Sequence, residues 1–261
     1  MEFDSAVVKA WVAGVLAGIY EPEPDEEIWE WAERTLRIPA TENEEQANQY
    51  WSASYSPYVK ELFEWFKKPE TILSKDENGI DRWFADGEMN TAYLALDYHV
   101  ENGRADQLAM IYDSPVTDTK RKLTYRELRD EVAKFAGVLK AQGVEKGDRV
   151  VVYMPMIPEA VVAMLAVARL GAIHSVVFGG FAPHELAVRI DDAEPKVVVT
   201  SSCGIEISKV IEYKPLLDSA MEKSAHKPNA CVVLQRPEVT ATLIEGRDID
   251  WATAMETAEP A

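Results

Sequence analysis

Three short Val-rich runs constrain this chain most: Gly147-Asp-Arg-Val-Val-Val-Tyr-Met-Pro155, Gly171-Ala-Ile-His-Ser-Val-Val-Phe-Gly179-Gly180 and Lys196-Val-Val-Val-Thr200. They recur at nearly even spacing, and each gives way to a segment with helical periodicity. Val161, Leu165, Ala168 and Arg169 follow Pro158 at helix spacing, and Leu186, Ile190 and Ala193 follow Pro183. Strands that alternate with such helices form right-handed βαβ units in one parallel sheet. Runs this continuously apolar suit strands covered on both faces. The expected fold is α/β, a parallel doubly wound sheet. Gly179-Gly180 falls where the second strand yields to its helix, at the carboxyl edge where open α/β sheets bind ligands.

Residues 1–85 read as a helical extension and 86–261 as the domain that carries the sheet. Asp4 or Ser5 can cap a first helix with Val8, Trp11, Val12, Val15 and Leu16 on one face, broken by Pro22 and Pro24. Asp25 caps a second, with Ile28, Trp31, Ala32 and Leu36 inward. Thr41 and Glu44 form a capping-box pattern for a third, and Ser56-Pro57 opens a fourth that ends before Pro69. Five of the seven tryptophans (Trp11, Trp29, Trp31, Trp51 and Trp65) lie here, either as a docking surface or as the filling of a small helical core.

Asp76-Glu-Asn-Gly79 marks a loop, and a helix is expected from about Thr91 to Val100. Residues 107–113 and 121–123 read as a hairpin joined across Pro115 to Thr119. Thr124-x-x-Glu127 is a capping box for a helix that carries Leu128, Val132, Phe135, Val138 and Leu139 and stops at Gly143. Beyond the Val-rich series, Cys203 to Lys209 reads as a loop, Pro215 to Ser224 as a helix, Ala230 to Leu234 as a fourth strand, and the rest as a tail.

The formal net charge of -18 disfavours nucleic acid or an anionic membrane as a partner, since both need a basic footprint. Cys203 and Cys231 show no metal-ligand spacing and read as buried reduced thiols. The apolar run from Ala6 to Ala17 is broken by Lys9 and preceded by Glu2 and Asp4, unlike a signal peptide. It is also shorter than the roughly 20 residues that span a bilayer. A cytoplasmic protein is expected.

No phosphate-loop, dinucleotide, zinc-protease or nucleophile-elbow motif occurs, and His99, His174, His184 and His226 stand isolated. The remaining chemistry lies in loops at strand ends. Gly179 and Gly180, between Phe178 and Phe181, can let a ligand approach the backbone, and the next helix can present amides to a phosphate. An ordinary strand-to-helix turn would use the same glycines. Lys209, with Lys214 nearby, can pair with a phosphate or can be a solvated loop charge. Arg189 and Asp191-Asp192 fit a structural ion pair.

These residues carry a resemblance. Val152-Tyr-Met-Pro-Met-Ile-Pro158, Arg169-Leu-Gly-Ala-Ile-His-Ser-Val-Val-Phe-Gly-Gly-Phe181 and Arg189-Ile-Asp-Asp192 resemble the AMP-forming short-chain acyl-CoA synthetases, adenylate-forming enzymes. Trp83-Phe84-x-x-Gly87-x-x-Asn90 and Asp97-x-His99 are similar to that family's entry segment. Ser202-Cys-Gly-Ile-Glu206, Tyr213-Lys-Pro-Leu-Leu217, His226-Lys-Pro228 and Leu234-Gln-Arg-Pro237 look like the propionyl-CoA synthetase branch more than the acetyl branch.

The resemblance implies a two-step ligase. A carboxylate attacks the α-phosphorus of Mg·ATP, giving an acyl-adenylate and pyrophosphate, and the CoA thiolate then displaces AMP. Such catalysis is mainly positioning and neutralising of anionic oxygens. By position, Phe178, Gly179 and Gly180 resemble the loop that lies along CoA. Glu206, Ile207, Ser208 and Lys209 fall where the family contacts the nucleotide end of CoA. Acetyl relatives have Arg at the first of these positions and propionyl relatives usually have Glu-Pro-Gly-Arg, so here Lys209 is the only cation of the set.

The cofactors implied are ATP, CoA and Mg²⁺, the metal held by residues outside this chain. The family's phosphate loop would follow the Trp251 region, so the chain is expected to be the first part of a ligase, with no catalytic residue of its own. Its implied partners are the remainder of that ligase and a short-chain carboxylate. The long helical extension suggests a multifunctional propionyl-CoA synthase with fused hydratase and reductase domains. A non-catalytic CoA- or nucleotide-binding module and a Trp-rich scaffold piece are the competing readings.

Overall fold

The computed structural model describes residues 64–206 and 209–261. The four helices expected before Pro69 otherwise lie outside the described residues. Where the fourth was expected to continue, residues 64–68 are not helical, and Lys67 is bridged to Glu88. The chain divides into two compact units, Met1–Met89 and Asn90–Ala261.

In the first unit, β1 (Leu73–Lys75) and β2 (Asp81–Trp83) pair antiparallel around the expected Asp76–Gly79 turn. Asp76 Oδ1 accepts the amides of Asn78 and Ile80, and Gly79 takes φ +78°. Asp86 accepts the amides of Glu70 and Thr71 in the same way. Short Asp side chains that stand in for backbone partners make such tight connections possible.

The second unit opens with two π-helical turns, Tyr93–Asp97 and Val100–Arg104, so the expected helix runs past Val100. The expected hairpin follows, as β3 (Leu108–Ser114) and β4 (Thr119–Thr124) paired antiparallel. Then come α1 (Tyr125–Ala141), β5 (Arg149–Met154), α2 (Pro158–Arg169), β6 (Ile173–Phe178), α3 (Pro183–Ala193) and β7 (Val197–Ser201). The expected loop after β7 is a second hairpin, β8 (Cys203–Glu206) with β9 (Lys209–Glu212), paired antiparallel. It leads into α4 (Tyr213–Lys223) and β10 (Ala230–Leu234). The supposed tail adds β11 (Asp248–Asp250) and α5 (Trp251–Thr257).

Five strands form one parallel sheet in the order β11-β10-β7-β5-β6. Alternate residues of the Val runs go to opposite faces. Val150, Val152, Met154, Val197, Val199 and Val232 pack with α1, α2 and Trp251 of α5. Val151, Tyr153, Val177, Val198, Cys231 and Val233 pack with α3 and α4. This two-sided burial explains the near-continuous hydrophobic runs of β5, β7 and β10. On α2 the buried side is Val162, Ala163, Ala166 and Val167, one step round from Val161 and Leu165.

The run in β6 departs from the expectation of cover on both faces. It is an edge strand, with Ile173 55%, Val176 57% and Phe178 67% exposed.

Two of the entry-segment residues act as pins. Asn90 Oδ1 accepts the amides of Ala92 and Tyr93, while its Nδ2 donates to the carbonyls of Ala168 and Arg169 at the end of α2. Asp97 meets the Arg169 guanidinium at 2.6 Å. The helical segment is thus fastened to α2 by partners its own turn lacks.

Candidate functional site

The carboxyl edge of the sheet gathers the turn after β6, the β8–β9 hairpin and the start of α4. Gly180 has φ +102°, a conformation that favours glycine. Its amide donates to the Tyr153 hydroxyl (3.4 Å), which donates to the Phe181 carbonyl (3.3 Å). Tyr153, at the end of β5, therefore ties the turn to the sheet. Burial pushes its phenol up, and the bond from Gly180 opposes that.

The glycines are crowded rather than open. A Cβ on Gly179 would stand 2.1 Å from the Tyr213 hydroxyl, and one on Gly204 would stand 2.3 Å from the same oxygen. The expectation that Gly179 clears a path for ligand is corrected on this side: the ring of Tyr213 fills the space. Tyr213 also stacks on Tyr153, with ring centroids 4.9 Å apart. On the other side of the turn, a Cβ on Gly180 would lie 2.9 Å from Glu206 Oε1. Gly179, Gly180 and Glu206, far apart in sequence, are thereby brought together.

Phe178 projects from the end of β6 and meets Phe181 edge-on, centroids 5.9 Å apart. The Arg189 guanidinium lies 4.5 Å over the Phe181 ring and pairs with Glu185 at 3.5 Å. Asp191 instead accepts the amide of His226, so the expected pairing of Arg189 with Asp191-Asp192 is not made. Lys209 faces Glu206 across the hairpin, is exposed, and forms no ion pair or side-chain hydrogen bond among the described residues. Ile207 and Ser208 lie outside the described residues.

Lys214 is not available to a phosphate. It is 2% exposed and pairs with Asp218 at 2.7 Å and Asp248 at 2.8 Å. Arg247 binds the same two carboxylates, contacting Asp248 at 2.6 Å and Asp218 through its Nη2. Two cations and two anions close a neutral cluster, so no charge is left to recruit a ligand. Burial alone would raise the Asp248 carboxyl, but its bonds from Arg247 and Lys214 outweigh this and hold it below its ordinary value.

The α3 N-terminus is also a weaker anion cradle than the sequence suggests. Pro183 lacks an N–H, Glu185 sits in the first turn and no side chain caps it. Sequence reasoning missed Tyr153, Tyr213 and Phe181 as parts of this wall. The Tyr213-Lys-Pro stretch marked the position without indicating where its ring would go.

Cavities among the described residues also lie elsewhere. One of about 680 Å³ runs between α1, α5 and the last residues, and one of about 270 Å³ lies among Tyr112, Arg121, Glu159 and Arg236. In the second, Arg121 is already paired with Glu131 and Glu159, and Arg236 with Glu238. Neither cavity is lined by the glycine turn, and convergent chemistry favours the turn.

Residues 97–260 match the AMP-binding enzyme family, and residues 41–95 match the acetyl-coenzyme A synthetase N-terminus. The chain belongs to the AMP-binding enzyme family. Among its relatives, an uncharacterized protein of Pseudomonas aeruginosa is 59% identical over 76% of this chain and 31% of its own length. The acyl-CoA synthetase short-chain family member 3, mitochondrial, of Rattus norvegicus is 50% identical over 76% of this chain and 29% of its own. The acetyl-coenzyme A synthetase of Shewanella pealeana is 46% identical over 73% and 30%. The chain spans about a third of the length of the curated relatives it matches.

The residues present fit CoA in part: Lys209, exposed and without an ion pair among the described residues, is a cation next to Glu206, which itself abuts the glycine turn. No group of three or more His, Cys, Asp or Glu side chains that could hold a metal ion occurs among the described residues. No described helix is long and apolar enough to cross a membrane.

Proposed function

We propose that this chain is the N-terminal part of an AMP-forming ligase that activates a short-chain carboxylate, propionate or a similar acid, and passes it to CoA. The observation that carries the reading is the convergence of the Phe178–Gly180 turn, Glu206 and unpaired Lys209 on one sheet edge. ATP, when bound, would supply the leaving group by way of an acyl-adenylate, with Mg²⁺ held by residues other than those described. The work of this chain is to bind and orient CoA: Lys209 neutralises phosphate, and Tyr153 keeps the turn in place. Propionate is supported by the branch-like stretches at Ser202–Glu206 and Tyr213–Leu217, while the 50% identity to the short-chain family member 3 supports a short-chain acid without choosing among them. Acetate is the competing acid, given the acetyl-coenzyme A synthetase relative. A cytoplasmic setting, a division into an N-terminal extension and the first part of a catalytic domain, and fusion to hydratase and reductase domains are parts of the same proposal.

The test is kinetic, in the complete enzyme. Lys209→Ala should raise the KM for CoA about tenfold with kcat nearly constant, because a surface charge on a phosphate contributes mainly to binding. An unchanged KM would remove Lys209 from the site. Rates with acetate, propionate and butyrate would assign the acid, and propionate should give the highest kcat/KM.

A further inference from the structure

Tyr213 is only 3% exposed, yet its hydroxyl has no hydrogen-bond partner among the described residues. The one side-chain polar atom there that is both fully covered and unpartnered is His99 Nδ1, so the Tyr213 oxygen touches the surface. It does so at a defined place. The tip of the ring is wedged between Gly179 and Gly204, with the oxygen where either glycine's Cβ would stand. Each glycine instead turns a Cα hydrogen toward the oxygen, a weak contact that engages its lone pairs. The phenolic proton has no acceptor among the described residues and is free for a ligand that reaches this point of the surface.

Both glycines belong to the segments that form the proposed CoA wall, the β6–α3 turn and strand β8. A methyl group on either would displace the hydroxyl. Glu206 stands beside the same turn, and its carboxylate disfavours a second anion there. A neutral acceptor suits the place better than a phosphate. Burial, followed by Tyr153 and Glu206, pushes the phenol up to about 12, so it remains a donor at neutral pH.

We infer that Tyr213, reaching out between Gly179 and Gly204, donates a hydrogen bond to an amide carbonyl of the pantetheine arm of CoA. The inference rests on the CoA reading above and adds to it the part of the molecule that is held and the group that holds it.

The experiment is calorimetric titration of the full-length protein with CoA and, separately, with pantetheine, which lacks the nucleotide. Tyr213→Phe keeps the ring in its slot and should weaken both ligands three- to tenfold, the loss of one neutral hydrogen bond. Equal affinities for wild type and variant would overturn the inference and leave the CoA reading standing. A loss seen with CoA but not with pantetheine would overturn the carbonyl assignment. No binding of either ligand by the wild type would overturn both. Should the variant fail to fold, 3-fluorotyrosine placed at position 213 gives a second measurement. Its fluorine resonance should move when pantetheine saturates the protein, and an unmoved resonance would reject the contact.

Discussion

Gly137 lies on α1 beneath the final residues of the chain, and a Cβ there would stand 1.8 Å from the Glu259 carbonyl oxygen. The crossing is held by the Ala261 amide, which donates to the Ala133 carbonyl at 2.9 Å, and by Trp251 stacked 3.8 Å from Phe135. Gly137→Ala should therefore lift the terminal segment and destabilise the protein by about 2 kcal/mol, read from urea unfolding. The cluster at Lys214 gives a second residue-scale prediction. Lys214→Met leaves Arg247 alone between two carboxylates, and breaking a buried pair from one side costs about 3 kcal/mol. The pH dependence follows from Asp248, whose folded-state pKa is held below its ordinary 3.8. The stability it adds is complete above that value and is lost as pH falls through the lower, folded one. Asp248→Asn should flatten the acid limb of a stability-against-pH curve, and an unaltered limb would contradict this. How these side chains pair was not legible in the sequence. Lys214 read as a phosphate ligand because the stretch shows a lysine near a loop, and nothing local reveals two aspartates closing on it from α4 and β11.

Among the elements, α1 was the most legible. Thr124 and Glu127 form the expected capping box, each side chain meeting the other's backbone amide, and all five residues expected to face inward are buried. Thr124→Ala should destabilise by about 1 kcal/mol in chemical unfolding, with little change in the m-value. The strands β5, β7 and β10 were legible for a related reason: burial on both faces writes an uninterrupted apolar run. β11 left no such trace. Asp248-Ile-Asp250 has poor strand propensity and is held by parallel pairing with β10 and by the charge cluster, both long-range effects. The β8–β9 hairpin was hidden because Glu206-Ile-Ser-Lys209 lacks the Gly or Asn that marks a tight turn. The candidate site was read in halves. Gly179, Gly180, Glu206 and Lys209 could be assigned to one edge, but the tyrosine between them could not, because its position depends on how α4 docks.

At the scale of the whole molecule, two facts described separately act together. The chain carries a formal net charge of -18, and the sheet ends in β6, whose outer side has no paired strand among the described residues and whose Val176 and Phe178 are exposed. At low ionic strength, mutual repulsion keeps such margins from meeting. Salt shortens the reach of that repulsion from about 10 Å at 0.1 M to about 3 Å at 1 M, while apolar attraction persists. Light scattering should therefore rise with added sodium chloride, and Val176→Lys should suppress the rise, since a lysine on an open strand blunts edge-to-edge pairing. Scattering that falls with salt would point to charge attraction instead. The colloidal behaviour of a preparation thus becomes a readout of one strand's margin, and a buffer of low ionic strength is the condition in which it stays dispersed.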